Sequence, residues 1–346
     1  MVFVICSIKG DDKMENNNLL DIKNLHIWYK TYRGYAKVVN GINLYVKRGE
    51  KIGLVGESGC GKTTTMKSIL RVLDKSVTYI KKEGKILFQG NNILNLPEND
   101  MQNIRRKKIS MISQSPMAAL NPVFKIGEQM LDIIKYSGQF KTRSKKEMLD
   151  VAKSAISNVM IPDPDRILNS YPYQLSGGMR QRICIAMSLI TQRDLMIADE
   201  PGTALDVTIQ DQIYRLLNEL VQKKNCSLIM VTHSLGVARE LVDRIYVMYA
   251  GDIVETCKTK DLFRNPLHPY TEGLLNCIPR LSGGGLSEGI YGYIPDYHNP
   301  TPGCRFYPRC KIAKDICKNK KPPVIEMEEE HYVSCFKYVI EENQKG

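Results

Sequence analysis

The residues best equipped for chemistry form the run Gly56-Glu57-Ser58-Gly59-Cys60-Gly61-Lys62-Thr63, a G-x-x-x-x-G-K-T pattern. Its glycines let the backbone close around an anion, so that several N–H groups converge on one phosphate. Lys62 offers a point charge to β- and γ-phosphates, and the Thr63 hydroxyl is suited to Mg²⁺. The apolar residues 51–55 before it read as a buried strand. Thr64 to Val72 after it reads as a helix, whose positive end adds to the pull on an anion. A second apolar run, 195–198, ends in Asp199 and Glu200. Asp199 is placed to hold Mg²⁺ through its hydration shell, and Glu200 to polarise a water attacking a γ-phosphate. Gln114 ends the run 109–113, where its amide reaches a metal or that water. His233 follows the apolar run 227–232, at the strand end that faces the ligand crevice in an open α/β sheet. Ser176-Gly177-Gly178-Met179 opens a helix and makes another anion-binding end. The chemistry implied is nucleotide binding with attack on a phosphate.

These groups need a scaffold that the chain supplies in order. Leu19–Tyr29 and Val38–Val46 read as a hairpin around a turn-like insert, Tyr32–Tyr35. Tyr29, with Trp28 and Tyr35 as rivals, is the aromatic best placed to stack on an adenine. Gly84–Phe88 reads as a strand, and the basic run Arg105–Lys108 as a solvated entry into the strand that begins at Ile109. From Lys125 to Arg166 the pattern is helical, broken at Pro162 and Pro164. Arg182–Ile190 reads as a helix, and Arg244–Glu255 closes the core. Ser282–Gly285 marks a flexible link. The acidic run Glu326–Glu330 reads as a solvated face.

With 49 Lys and Arg against 37 Asp and Glu the net charge is +12, which favours anionic partners without choosing among nucleotide, nucleic acid and membrane. No stretch approaches the ~20 apolar residues of a membrane span. Met1–Ile8 is apolar but is followed at once by charges, an unconvincing signal peptide, and Met14 is an alternative start. Of ten cysteines, six are scattered and four crowd the tail: Cys304, Cys310, Cys317 and Cys335. Their spacing, C-x₅-C-x₆-C-x₁₇-C, lacks the tight knuckle usual for structural zinc and differs from common ferredoxin patterns. Disulfides are disfavoured in a reducing compartment. Spacing alone therefore leaves iron–sulfur, zinc and no metal all open. Arg305, Arg309 and Lys311 are expected to offset thiolate charge here.

Taken together, GESGCGKT (56–63), ISQSP around Gln114, LSGGMRQR (175–182), LMIADEP (195–201), Ala204-Leu205-Asp206 and VTHS around His233 resemble the ATP-binding cassette (ABC) family. The tail (NPLHPYT at 265–271, Leu274-Leu275, Ile278-Pro279-Arg280 and PGCRF at 302–306) resembles the dipeptide/oligopeptide importer branch, whose relatives also serve nickel and oligosaccharide systems. The resemblance implies an α/β fold: a P-loop NTPase (RecA-like) core with an antiparallel β subdomain, an inserted helical subdomain and a small Cys-rich C-terminal lobe. It implies an N-terminal extension over 1–18, a nucleotide-binding domain over 19–255 with its helical part at about 98–180, and a C-terminal extension over 256–346 with the four-Cys lobe at about 295–336.

Residue roles follow from the same resemblance. ATP is held by residues 56–64 and Tyr29, with Mg²⁺ on Thr63, Gln114 and Asp199. Glu200 is the general base, His233 contacts the γ-phosphate, and Gln114 relays nucleotide state. Ser176, Gly177, Gly178, Met179 and Asp206 face the partner cassette. Cys304, Cys310, Cys317 and Cys335 hold a [4Fe–4S] cluster. The implied partners are a second, paralogous ATPase, two membrane permease subunits and an extracytoplasmic solute-binding protein, at the cytoplasmic face of the membrane and without nucleic acid. Met179, Gly202 and Ser234 depart from the common pattern, and Gly202 is expected to add flexibility beside Glu200. The alternative is a soluble cassette acting on nucleic acid, ribosomes or iron–sulfur assembly. The interval from Thr64 to Asp194 lacks long heptads, and only one phosphate loop is present, both of which count against it.

Overall fold

The computed structural model describes residues 18–140, 144–203, 205–278 and 289–339. Met1 and Met14, Ala204, Pro279-Arg280 and the link at Ser282–Gly285 lie outside the described residues. In chain order the elements begin with β1 (Asn18–Thr31), β2 (Gly34–Lys47), β3 (Lys51–Val55), α1 (Lys62–Ile69), β4 (Thr78–Ile80), β5 (Lys85–Phe88) and β6 (Asn91–Asn92). Then come α2 (Glu98–Lys107), β7 (Ile109–Ile112), α3 (Pro116–Ala119), α4 (Ile126–Tyr136), α5 (Lys145–Asn158), α6 (Pro164–Asn169), α7 (Gly177–Leu189), β8 (Leu195–Asp199), α8 (Val207–Lys223) and β9 (Ser227–Thr232). The chain closes with α9 (Leu235–Leu241), β10 (Arg244–Tyr249), β11 (Asp252–Lys258), α10 (Thr259–Arg264), α11 (Pro269–Asn276), α12 (Asp315–Asn319), β12 (Ile325–Glu328) and β13 (His331–Val333). No helix among the described residues is long and apolar enough to cross a membrane.

The described residues of 1–46, 51–94 and 232–346 form one compact unit, and those of 47–50 and 95–231 a second. In the first, an antiparallel sheet runs β2-β1-β5-β6, with β4 also on β1. Alternation along β1 puts Ile27 in the core and sends Trp28 the other way, onto Tyr35 and Tyr79 at 6.0 and 5.9 Å. A second set of strands pairs β3 parallel to β10, then β10, β11, β13 and β12 antiparallel in turn. Ile52, Leu54, Val55, Ile245 and Val247 are fully buried there. Each such side chain stabilises the unit by roughly 1.5–3 kcal/mol, and together they fix the strand from which the phosphate loop departs. The hairpin is longer than its apolar runs suggested, with only Tyr32-Arg33 left as the turn. Helix α1 starts two residues earlier than Thr64, at Lys62 itself.

Strand β13 pairs with β11 at Glu255↔Val333 and Thr256↔Tyr332. A division at 255/256 therefore falls inside a strand, and the C-terminal extension continues the sheet of the core. The acidic run is likewise structural in part: it forms β12 and its turn, where Glu330 pairs with Arg244 and Lys258.

The second unit holds the parallel set β7-β8-β9 and the helices α2 to α8. Here the basic run Arg105–Lys108 does lead, largely exposed, into β7 at Ile109, but most of it is helical. Arg105, Arg106 and Lys107 form the last turn of α2, whose first turn carries Glu98 and Asp100. That distribution complements the helix dipole at both ends, a pattern that short-range charge reading misses. Helix α7 begins at Gly177, five residues before Arg182, because the Ser176 hydroxyl accepts the Met179 N–H at 3.3 Å. Pro164 takes the first position of α6, where its missing N–H costs nothing.

Candidate functional site

The phosphate loop follows β3 directly. Gly56, Gly59 and Gly61 hold φ of 155°, 80° and 108°, and a Cβ on Gly56 would stand 2.1 Å from the Met248 carbonyl oxygen. Only glycine fits that approach. Lys62 is 4 % exposed, and its ammonium donates to the Gly56 and Glu57 carbonyls at 2.7 and 2.8 Å. The lysine thus closes the loop on itself. Burial pushes the Cys60 thiol up, so this buried cysteine stays protonated and inert. Ser58 and Gly59 are exposed at the loop's crest, and Thr63 and Thr64 are half-buried at the start of α1. The Tyr29 hydroxyl lies 3.3 Å from Thr64 Oγ1. Of the three rival aromatics, Tyr29 is the one brought to the loop, since Trp28 and Tyr35 are engaged with Tyr79.

His233 is exposed just past β9. Ser234 after it caps α9, its hydroxyl accepting the Val237 N–H, so the residue that departs from the common pattern has a structural task.

In the second unit, Asp199 ends β8 at 2 % exposure. Glu200 follows at φ 47°, an uncommon conformation for a non-glycine residue, with its N–H bonded to the Val231 carbonyl at 2.9 Å. Its carboxylate oxygen Oε2 accepts from Gln114 Nε2 at 3.1 Å and from the Thr203 hydroxyl at 3.0 Å. Gln114 and Glu200, 86 positions apart in sequence, are brought together. Thr203 was not anticipated, and its only signal was its place three residues after Glu200. Gly202 also has a packing reason. A Cβ there would come 2.4 Å from Gln210 Cγ and 2.9 Å from the Tyr214 hydroxyl, both on α8. Gln210 also donates to the Gly202 carbonyl at 2.9 Å. The glycine leaves room for these two side chains. Ser176 and Asp206 are exposed at the N-termini of α7 and α8, while Gly177, Gly178 and Met179 are partly covered.

Cys304, Cys310, Cys317 and Cys335 all line one cavity of about 300 Å³ in the C-terminal lobe, walled by His268, Phe306 and Phe336. The Cys304 N–H donates to the Cys317 carbonyl at 2.7 Å, pinning two of the four segments together. Burial, with the neighbouring thiols adding to it, pushes Cys304 up to about 12 and raises Cys310 and Cys335. Such thiols stay protonated unless a cation takes the proton's place. Among the described residues no three of these sulfurs lie within 4.8 Å of one another. A single tetrahedral zinc, with Zn–S of about 2.3 Å, would hold them nearer together than that. Two of the cations expected to offset the thiols are committed elsewhere: Arg305 to Asp252 and the Ala250 carbonyl, Arg309 to Glu57. Burial also lowers His268 to about 4, leaving it neutral with Nδ1 accepting the Tyr270 N–H.

The "ABC transporter" family model matches residues 39–203, and the model "Oligopeptide/dipeptide transporter, C-terminal region" matches 254–317. The chain is 42% identical over 321 residues to a probable peptide ABC transporter ATP-binding protein of Sinorhizobium fredii, covering 92% of this chain and 95% of that one. It is 43% identical to the dipeptide transport ATP-binding protein DppD of Bacillus subtilis, over 92% of this chain and 94% of the relative. Among solved structures, the ATP-binding cassette MJ0796, dimeric in a post-hydrolysis state with ADP and Pi, superposes with a TM-score of 0.62 at 28% identity, covering 69% of this chain and 98% of that one.

Proposed function

Because the chain belongs to the ABC transporter ATPase family and carries the C-terminal region of its oligopeptide/dipeptide branch, we propose that it is the ATP-hydrolysing subunit of a peptide importer. The observation that carries this reading is the unbroken likeness to peptide-transport ATPases through cassette and C-terminal region alike. The alternative, a soluble cassette acting on nucleic acid or ribosomes, has no comparable support. In this reading the loop N–H groups and Lys62 bind the β- and γ-phosphates, and Tyr29 carries the adenine. Thr63, Gln114 and Asp199 hold the Mg²⁺, which when bound neutralises charge developing on the phosphates. Glu200 takes a proton from the attacking water while the bond between the β–γ bridging oxygen and the γ-phosphorus breaks, giving ADP and phosphate. His233 contacts the γ-phosphate. The Ser176–Met179 helix start and Asp206, exposed or partly so, serve the nucleotide bound by a second, paralogous cassette.

Coupling to two membrane permease subunits is supported by Met117, Val123 and Phe124, which follow Gln114 and are 54%, 71% and 50% exposed. Exposed apolar side chains such as these are available to a docking partner. The chain then acts at the cytoplasmic face of the membrane, supplied by an extracytoplasmic solute-binding protein. Deleting the gene should abolish uptake of labelled peptides and leave nickel and oligosaccharide uptake intact. Persistent peptide uptake with loss of either other solute would move the chain to another branch.

The four-thiol cavity supports a [4Fe–4S] cluster that staples a lobe too small to bury much core alone. Protein purified without oxygen should contain about four iron and four acid-labile sulfide per chain. A Cys310→Ser variant should lose most of the iron. Zinc alone, or no metal in oxygen-protected protein, would rule the cluster out.

A further inference from the structure

The phosphate loop is gripped from outside by the C-terminal lobe. Arg309 donates from Nη1 to both Glu57 carboxylate oxygens, at 3.0 and 2.9 Å, and is itself only 5 % exposed. Its Nε and Nη2 donate to the Tyr291 and Ile290 carbonyls, both at 2.9 Å, so the guanidinium is fixed on the lobe side. The Glu57 N–H donates to the Tyr270 hydroxyl at 2.9 Å, and the Tyr297 hydroxyl donates to the Gly59 carbonyl at 2.8 Å. Phe306 stacks edge-on against Tyr249 at 5.0 Å and tilts over Tyr270 at 5.5 Å, and it also walls the four-thiol cavity. Two positions of the loop, Glu57 and Gly59, thus take their orientation from residues more than 200 positions downstream.

We infer that Arg309 is a positioning residue for nucleotide binding, holding Glu57 and thereby the phosphate loop, so that the folded C-terminal lobe sets the affinity for ATP. The inference rests on the nucleotide reading of that loop. Two physical effects act together. The fork restricts the loop to one conformation, which reduces the ordering cost when phosphates arrive. It also neutralises a carboxylate that would otherwise stand beside an incoming polyanion.

The test is MgATP affinity and steady-state kinetics of the full chain in wild-type, R309M, E57Q and E57Q/R309M forms. Arg309→Met should weaken MgATP binding about tenfold, with turnover at saturation within about twofold, because Arg309 does not touch the reacting atoms. Adding Glu57→Gln should restore part of that loss, since the uncovered carboxylate is gone while the loop stays unclamped. A lobe that had merely collapsed would leave the double variant as weak as R309M. Unchanged affinity in R309M, or no recovery in the double variant, overturns the inference. Should R309M fail to fold, Arg309→Lys keeps a cation but loses the fork, and is expected to weaken binding about threefold. An unchanged affinity in R309K would be equally fatal. Wild-type protein that does not bind MgATP would instead refute the nucleotide reading itself.

Discussion

Glu200→Gln should slow ATP turnover by about 10²–10⁴-fold while leaving MgATP affinity nearly unchanged. The structure makes this substitution a clean one. Gln114 Nε2 and the Thr203 hydroxyl both donate to the same oxygen, Oε2 of Glu200. A glutamine at this position can present its amide oxygen to the same two donors and keep the side chain in place. What disappears is basicity at the position facing the attacking water, so geometry is preserved and proton abstraction is not. The unusual φ of 47° at Glu200 belongs to the backbone and is untouched by the change. Phosphate release under saturating MgATP measures the loss, and equilibrium nucleotide binding measures what is retained. Turnover reduced less than about tenfold would remove Glu200 from the role of general base.

The second large effect is expected at Lys62. Lys62→Ala should weaken nucleotide binding by about 10²-fold, as removal of a charge-assisted contact to phosphate implies. It should also lower the thermal midpoint of the nucleotide-free protein. The ammonium is buried and bonded to the Gly56 and Glu57 carbonyls, and alanine leaves both without that donor. Lys62→Arg should not rescue binding, because a planar guanidinium does not enter a slot shaped for a compact ammonium. Isothermal titration with MgATP separates the two parts when read beside thermal unfolding. Affinity within threefold of wild type would show that the lysine serves the loop alone.

The cassette motifs were legible in sequence because each is local: a glycine-rich turn, a carboxylate pair ending an apolar run, a serine before a helix. Strand alternation even separates Tyr29 from Trp28, though only the position of Thr64 shows which face meets the loop. The basic run Arg105–Lys108 is legible as a solvated entry to β7, but charge density does not reveal that it also ends a helix started by Glu98. Gly202 reads in sequence as added flexibility, and its packing reason lies on α8, at Gln210 and Tyr214. Arg309 was assigned to the neighbouring thiols because sequence proximity favours Cys310. Its actual partner, Glu57, is 252 positions away, and no periodicity or spacing rule spans that distance.

The pairing of β13 with β11 also bears on how the molecule behaves in a crowded solution. Without β13, β11 would offer a line of unsatisfied N–H and C=O groups to any passing chain. The tail hides that line and ends the sheet instead on β12, a strand of four residues with an irregular register between Glu326 and Glu328. A short, kinked border carrying glutamates is a poor template for self-association. The acidic run thus guards the rim of the sheet, and trimming the chain back to its cassette would trade that guarded rim for an adhesive one.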